Sequence, residues 1–328
     1  MNKEHYNEMD LLKGIGIIAV YLGHSFNLPN LPGNNFLIYI YRTVYSFHLP
    51  LFFLVSGFLS NNSKEIDFTK FYKNKIKRLF IPYLFINFID FIPRTLFPQL
   101  VNSEFEGIKE VLFYGTKISW FVYTLFILFL IFPILEKYIF RKDKYYIFGI
   151  VLIILNTFKI GTDIKFLSIG TIIYYLIYFY IGYQVKNIYK DKILNGVFTK
   201  KVFFIGVSII YLVFAWNYFY INLYTHIIFA LIGSLFYLNI FIRMNEKSKS
   251  YSLLKFCGSN SMTIYLIEGF ITVVVRVILL KIVKLSESNA ETFVITFFLI
   301  RVVIAYIAVK YIIIKSSILS FLLGARKE

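Results

Sequence analysis

Long apolar runs, separated by short charged strips, recur along the whole 328-residue chain. A helix needs roughly 20 apolar residues to cross the hydrocarbon layer of a membrane. Backbone polar groups in lipid must be hydrogen-bonded within the spanning structure, which leaves helices or closed barrels. The runs are continuous and do not alternate with polar residues, so they favour helices. At 58% hydrophobic residues, spread from end to end, the chain cannot be explained by one buried core.

We therefore predict an all-α integral membrane protein, a bundle of about ten transmembrane helices. The second helix contains Pro50, and we expect it to be irregular there. No segment is long enough for a separate soluble domain, so residues 1–328 are predicted to form a single membrane domain. The apolar runs place the helices near residues 12–28, 42–60, 79–97, 119–135, 145–158, 166–185, 201–219, 222–242, 261–280 and 293–314.

The net charge of +17 follows a topological pattern. In a soluble protein such a charge would suggest a nucleic-acid partner. Here most Lys and Arg residues occupy every second strip between helices, and positive residues of this kind mark the cytoplasmic side. We expect both termini to be cytoplasmic, the lipid bilayer to be the surroundings, and no nucleic acid to bind. The strips on the opposite side carry only Arg42, Arg94, Lys109, Lys117, Lys159, Lys165, Lys281 and Lys284.

A few ionisable residues fall inside the predicted helices, where a charge is costly and is usually functional. Counted from the nearest cytoplasmic strip, four of them lie at a similar depth, roughly 18–21 Å from the cytoplasmic face at 1.5 Å per residue. They would form one polar layer if their helices adjoin. These four are His24, His48, Asp90 and Glu268; Arg276 and Arg301 are the other two ionisable residues at membrane depth.

A structural interpretation stands beside each functional one. A single histidine in a helix is more often a packing residue than a catalyst. Asp90 can pair with Arg94 one helical turn away. His48 can stabilise the chain before Pro50, and Arg276 can reach the outer surface with its long side chain.

Three segments resemble signatures of the acyltransferase-3 membrane family. The first-helix signature matches residues 10–25 (DLLKGIGIIAVYLGHS), and the second matches residues 47–58 (FHLPLFFLVSGF). A basic step into the third helix is similar to residues 75–83 (KIKRLFIPY), and Trp120-Phe121 also suits the family. The sequence is similar to the fucose 4-O-acetylase-like branch, and the resemblance extends over the whole chain.

The resemblance implies transfer of an acyl group, commonly acetyl from acetyl-CoA, to a hydroxyl group of a cell-surface glycan or its lipid-linked precursor. By position, His24 matches the family's essential first-helix histidine, and Lys75 and Arg78 match its basic pair. The family often has arginine where Lys75 stands, and lysine lacks the bidentate fork of a guanidinium. Many relatives have a histidine where Glu268 stands.

These residues suggest a mechanism. His24 is the candidate base that takes the proton of the acceptor hydroxyl, with Asp90 or Glu268 orienting its ring. His48 is a candidate donor to the developing oxyanion or a support for His24. Lys75 and Arg78 would hold the phosphates of acyl-CoA.

Two chemical routes stay open: an acyl-histidine intermediate, or direct attack on a thioester whose pantetheine arm reaches through a channel. We predict no metal. Some relatives carry an extracytoplasmic hydrolase-like domain that completes the transfer. We expect this chain either to act alone or to pass its acyl group to a separate extracytoplasmic transferase.

Two other classes of protein fit the composition. A transporter or flippase of a glycan or lipid-linked sugar would also need many spanning helices, but no convincing inverted repeat is visible in the sequence. A sensor or scaffold without enzymatic activity would tolerate the loss of His24. Acetylation of a glycan by membranes that contain the protein distinguishes the enzyme from both alternatives.

Overall fold

The chain is all-helical in the computed structural model, which describes residues 6–28, 31, 35–60, 67–96, 107–140, 145–186, 200–217 and 223–326. Those ranges contain no β-strand. The basic strips at 61–66, 141–144 and 187–199, which belong to the predicted cytoplasmic side, lie outside the described residues. The helices in the first part of the chain are α1 (Asn7–His24), α2 (Asn35–Phe58), α3 (Phe68–Lys75), α4 (Ile81–Leu96), α5 (Trp120–Leu135) and α6 (Tyr145–Thr157).

The remaining helices follow after residue 168. They are α7 (Ile169–Lys186), α8 (Lys201–Asn217), α9 (Leu223–Ile242), α10 (Lys249–Ser259), α11 (Ser261–Ile282), α12 (Ala290–Ile307) and α13 (Ser317–Leu322). Short π-helical turns lie at Ile76–Phe80, Glu110–Tyr114, Glu136–Phe140 and Ala308–Ile313, and 3₁₀ turns at Phe166–Ser168 and Glu287–Asn289.

Several of these helices have the length and apolarity that a membrane crossing needs. Within the described ranges, 5 helical stretches meet both criteria, and shorter apolar helices accompany them. The prediction of an all-helical protein is confirmed, and these stretches are candidate membrane helices. Ten crossings and two cytoplasmic termini stay predictions. The 5 stretches are Asn35–Phe58, Trp120–Phe140, Phe166–Lys186, Ser261–Ile282 and Ala290–Ile313.

Each of the ten predicted ranges overlaps an observed helix, but their ends and one interior differ. The first helix runs over Asn7–His24, several residues earlier than predicted, with Glu8 and Asp10 in its first turn. Acidic groups favour a helix N-terminus, which explains the early start. The prediction of irregular structure at Pro50 was wrong, because α2 is continuous through that residue.

Side-chain hydrogen bonds to backbone carbonyls accompany the proline of α2. A proline removes one amide donor and crowds the carbonyl four residues earlier. In the turns before Pro50, Thr43 Oγ1 donates to the Tyr39 carbonyl at 2.8 Å, Ser46 Oγ to the Thr43 carbonyl at 2.7 Å, and His48 Nδ1 to the Val44 carbonyl at 2.8 Å. Side chains thus supply additional donors to backbone carbonyls in this stretch, as they do in other membrane helices that contain proline.

The helix α10 has no counterpart among the predicted ranges. It begins at Ser248, whose Oγ accepts from the Tyr251 amide at 3.1 Å and caps the helix. Its backbone lies directly against α1: a Cβ added at Gly14 or at Gly258 would collide with a carbonyl oxygen of the other helix. The glycines in these two helices therefore permit an approach that larger residues would prevent.

The chain forms two compact units. The first unit comprises Met1–Leu59 and Ile181–Ala308, and the second comprises Ser60–Tyr180 and Val309–Glu328. In the first unit, α1 packs against α2, α9, α10, α11 and α12. Side chains on the last turn of α1 are therefore surrounded by other helices of the same unit. The prediction of a single membrane domain across 1–328 stays a prediction.

Candidate active site

His24 is the last residue of α1, and its imidazole faces α11. The Nδ1 atom of His24 lies 2.9 Å from Oε2 of Glu268. Other protein atoms leave 36% of the His24 side-chain surface uncovered, whereas only 7% of the Glu268 side chain is uncovered. One edge of the ring is thus held by a buried carboxylate while another part of the ring stays accessible to a reactant.

Glu268 is held from three helices. In addition to His24 on α1, its Oε1 accepts from Thr272 Oγ1 on its own helix α11 at 2.6 Å. Oε1 also accepts from Arg301 Nη1 on α12 at 2.6 Å. A buried carboxylate is stable only when it is paired and hydrogen-bonded. These contacts satisfy both oxygens and fix the orientation of the carboxylate.

Arg301 is fully buried and connects α12 to both other helices. Its Nη2 donates to Ser25 Oγ at 2.6 Å and to the Tyr21 carbonyl. The guanidinium lies 4.3 Å from the ring centroid of Phe297, which belongs to an apolar cluster on α11 and α12. In such surroundings a guanidinium needs an anion beside it. The arginine and Glu268 therefore neutralise each other inside the first unit.

The arrangement determines which nitrogen of His24 can react. A carboxylate can only accept a hydrogen bond, so Nδ1 carries the proton that lies between His24 and Glu268. In a neutral imidazole the Nε2 lone pair is then available to take a proton or to attack a carbonyl carbon. A histidine oriented by a buried carboxylate is the pairing that activates hydroxyl nucleophiles in many unrelated enzymes.

His48 makes a different contact. It is buried in α2, its Nδ1 donates to the Val44 carbonyl at 2.8 Å, and its ring packs edge-on against Tyr45 at a centroid distance of 5.0 Å. The contact stabilises α2 in the turn before Pro50, which agrees with the structural interpretation of His48. With Nδ1 occupied, only a protonated ring could also donate from Nε2 to an oxyanion. The catalytic role of His48 stays a prediction.

Asp90 lies on α4 of the second unit. Its Oδ2 accepts from Arg94 Nε at 2.7 Å, one helical turn later on the same helix. The structure brings Glu268 to the ring of His24, and it pairs Asp90 with Arg94. A role for Asp90 in catalysis stays a prediction.

The predicted acyl-CoA residues lie at the junction of α3 and α4 in the second unit. The Lys75 Nζ atom lies 3.0 Å from the centroid of the Phe129 ring and 5.2 Å from that of Phe71, so aromatic faces hold its charge. The Arg78 side chain is exposed at the surface, and nearby protein atoms that remove part of its hydration, together with the charge of Arg326, lower its pKa. The two arginines place positive charge close together on the second unit.

The sequence interpretation gave no role to the residues that hold Glu268. Arg301 was recognised only as an ionisable residue at membrane depth, and Thr272, Ser25 and the Tyr21 carbonyl were not considered. One signal was available: a buried arginine requires an anion, and Asp90 and Glu268 were the two acidic residues predicted at membrane depth. Among the described residues, no group of three or more His, Cys, Asp or Glu side chains suits a metal ion, and the absence of a metal stays a prediction.

The group of His24, Glu268 and Arg301 inside apolar helices marks a candidate functional site, because ionisable residues among such helices are rare and usually functional. A family profile described as an acyltransferase domain matches residues 6–310. The chain therefore belongs to this acyltransferase family, which is membrane-associated.

Two curated relatives match shorter regions, and both are named nodulation protein NolL. The protein from Mesorhizobium japonicum is 29% identical over 136 residues, which cover 39% of this chain and 35% of the relative. The protein from Sinorhizobium fredii is 35% identical over 79 residues, 23% of this chain and 22% of the relative. The matches thus span about a third or less of the length of these relatives. No solved structure matches the chain.

Proposed function

We propose that this protein transfers an acetyl group from acetyl-CoA to a hydroxyl group of a cell-surface glycan or of its lipid-linked precursor. Membership of the acyltransferase family supplies the class of reaction. The contact of 2.9 Å between His24 and Glu268 is the observation that carries the proposal, because it leaves Nε2 of an accessible histidine available as a base. The donor, the acceptor and the acetyl group are the parts that need testing.

In the proposed direct route, His24 Nε2 takes the proton of the acceptor hydroxyl as its oxygen attacks the thioester carbonyl carbon. The tetrahedral intermediate then collapses, the carbon–sulfur bond breaks, and the departing sulfur takes the proton back from Nε2. Glu268 stabilises the imidazolium that forms between these steps. Arg301 keeps the carboxylate charged and in place throughout.

In the covalent route, Nε2 itself attacks the thioester carbon, the carbon–sulfur bond breaks, and the departing thiolate takes a proton from water, which leaves the acetyl group on His24. The acceptor hydroxyl oxygen then attacks the acetyl carbon, the bond between that carbon and Nε2 breaks, and the hydroxyl proton returns to water. Both routes use the same nitrogen. They differ in whether an acetylated histidine accumulates when acetyl-CoA is supplied without acceptor. Mass spectrometry of rapidly quenched protein distinguishes the two routes.

Arg78 and Lys75 are the proposed contacts to the donor. CoA carries several phosphate charges, and Arg78, exposed and close to Arg326, is suited to bind them by charge-assisted hydrogen bonds. Lys75 would add charge from its position over Phe129. His48 and Asp90 are proposed to support the site.

We assign the protein to the cell membrane as a multi-pass protein with ten crossings and both termini in the cytoplasm. Acetyl-CoA would then approach from the cytoplasm, and the acceptor glycan from the opposite face. The fucose 4-O-acetylase-like branch is the proposed position within the family. A separate extracytoplasmic transferase is the proposed partner in the case that this chain does not deliver the acetyl group itself.

The test measures the movement of radiolabelled acetyl groups. Membranes containing the wild-type protein should transfer label from acetyl-CoA to glycan, and membranes containing His24→Ala should transfer none above background. The matched control is His226→Ala, the same change on α9, which should retain wild-type transfer. Full activity of His24→Ala at equal protein levels would contradict the proposal, as would movement of a lipid-linked sugar across the membrane without any acetylation.

A further inference from the structure

A concave depression in the second unit is lined by none of the residues proposed above for the catalytic or acyl-CoA site. It has a volume of about 340 Å³ and is lined by Trp120, Thr162, Gly170, Thr171, Tyr174 and Tyr175. Trp120 opens α5, Tyr174 and Tyr175 lie in the second turn of α7, and Thr162 belongs to the segment between α6 and α7. The volume falls within the range of small-molecule sites, roughly 300–1,000 Å³.

Aromatic rings dominate the depression, and they are only partly buried. The Trp120 and Tyr175 rings lie 6.0 Å apart between centroids with an interplanar angle of 31°, and Tyr174 stands against Tyr175 at 4.8 Å and 82°. An aromatic face carries partial negative charge. It therefore attracts surfaces rich in polarised C–H groups, such as the apolar face of a pyranose ring.

Polar groups stand beside the rings. The Thr162 hydroxyl donates to the Lys159 carbonyl at 2.8 Å, so its oxygen lone pairs are directed elsewhere and can accept a hydrogen bond. Thr171 also lines the depression, and its side chain carries a second hydroxyl. A few hydroxyls beside an aromatic platform match a ligand with one apolar face and several hydroxyl groups at its edge.

The segment between α6 and α7, which contributes Thr162 to the depression, has an unusual backbone. Among the described residues, the non-glycine residues with positive φ are Lys159, Leu167 and Ser168, at 52°, 50° and 52°, and all three belong to this segment. Such conformations cost energy, persist only where the surroundings impose them, and concentrate at binding and catalytic sites.

Specific contacts hold this backbone in place. Ser168 Oγ donates to the Tyr114 carbonyl at 3.2 Å, and the Gly170 amide donates to the Ile164 carbonyl at 2.8 Å. A Cβ at Gly170 would collide with the Thr162 carbonyl, so only glycine permits the segment to lie this close to α7. The depression is thus shaped by a tightly constrained loop.

We propose that this depression binds a pyranose ring of the acceptor glycan, stacked on Trp120 and Tyr175, an inference that rests on the proposed function. The sequence topology places residues 159–165 on the side opposite the cytoplasm, where a cell-surface glycan is found. Tryptophan and tyrosine are also common at membrane–water interfaces as lipid anchors. The concavity, the two threonine hydroxyls and the constrained loop favour the sugar over lipid as the occupant.

Binding can be measured without catalysis. The chain has 2 tryptophans, so in a Trp216→Phe background the indole fluorescence reports on Trp120 alone. Full-length protein would be reconstituted in phospholipid nanodiscs free of sugar-based detergent and titrated with the methyl glycosides of fucose, glucose, galactose and N-acetylglucosamine. At least one glycoside should change the emission saturably, and His24→Ala should leave this titration unchanged.

Two variants and one control test the site itself. Tyr175→Ala, and Thr171→Val as the gentler change, should each weaken glycoside binding by about tenfold and raise the KM for acceptor similarly, with the KM for acetyl-CoA unchanged. Tyr146→Ala, an exposed tyrosine on α6, should alter neither. The proposal is overturned if no glycoside changes the emission, or if both variants behave like Tyr146→Ala, which is the behaviour of lipid anchors.

The two proposals fail in distinguishable ways. If glycosides bind in a way that depends on Tyr175 and Thr171 but the protein transfers no acetyl group, the sugar site is supported and the proposed enzymatic function is contradicted. If the protein transfers acetyl groups but neither variant changes the KM for acceptor, the proposed enzymatic function is supported and the sugar site is contradicted.

Discussion

Glu268 in the first unit and Asp90 in the second are two carboxylates that the sequence places at a similar membrane depth, yet they have different partners. Glu268 accepts from His24, Thr272 and Arg301, which lie on three different helices. Asp90 accepts from Arg94 on its own helix. Pairing within one helix neutralises a charge and needs no other element, whereas pairing across helices brings reactive groups together. The comparison indicates why only the first arrangement resembles an active site.

The largest effect should follow from removing the buried arginine. Arg301→Met leaves the Glu268 charge buried without its cation. A loss of this kind typically lowers the free energy of unfolding by about 3–5 kcal/mol. Arg94→Met, the matched change beside Asp90, should cost only about 0–1 kcal/mol, since that pair is more exposed. Thermal unfolding of both proteins in the same detergent measures the difference.

A double variant separates stability from positioning. Arg301→Met combined with Glu268→Gln removes both charges and should regain much of the lost stability, while acetyl transfer stays absent. Recovery of transfer along with stability would show that Arg301 acts on folding alone. Equal melting temperatures for Arg301→Met and Arg94→Met would contradict the contrast between the two carboxylates.

A smaller effect is expected at the proposed donor site. Arg78→Gln should raise the KM for acetyl-CoA by about tenfold, because one charge-assisted contact to a phosphate is lost, and should leave kcat nearly unchanged. Lys77→Gln is the matched control, as Lys77 is a neighbouring exposed cation with no proposed contact to the donor. Initial rates over a range of acetyl-CoA concentrations measure both values. Equal effects of the two variants would indicate a general attraction to positive charge.

The smallest effect should be found at His48. His48→Phe keeps a ring of similar size but loses the donor to the Val44 carbonyl, at a cost of about 1 kcal/mol. Transfer activity should fall by no more than a few fold if the role is structural. A loss of activity as large as that of His24→Ala, at an unchanged melting temperature, would instead establish the predicted catalytic role for this residue.

The apolar runs were sufficient to locate the ten predicted helices, because burial in lipid or protein requires long apolar segments. They did not indicate α10, which is short and carries polar residues, and which is recognisable mainly from its packing against Gly14 of α1. They also did not show that α2 continues through Pro50, because apolarity alone does not determine whether a helix ends at a proline.

Counting residues along the sequence gave the approximate membrane depth of each ionisable residue, but not the direction in which its side chain points. The similar depth of His24 and Glu268 made their contact plausible, and the structure brings them together. The same count assigned Asp90 equal status, because residue numbers do not reveal which way a helix face points. Arg301 was underestimated for the same reason. Its contact to Ser25 joins residues 276 positions apart, and its contact to Glu268 joins residues 33 positions apart.

The most direct test compares Glu268→Gln with Asp90→Asn in the same acetyl-transfer assay, at equal amounts of folded protein. Each change removes a charge and preserves the size of the side chain. Glu268→Gln should lower the initial rate by about 10²–10⁴-fold, since His24 loses the carboxylate that orients it and stabilises its charged form, whereas Asp90→Asn should change the rate by about twofold or less. Equal rates for the two variants would contradict the proposal that a His24–Glu268 pair performs the chemistry.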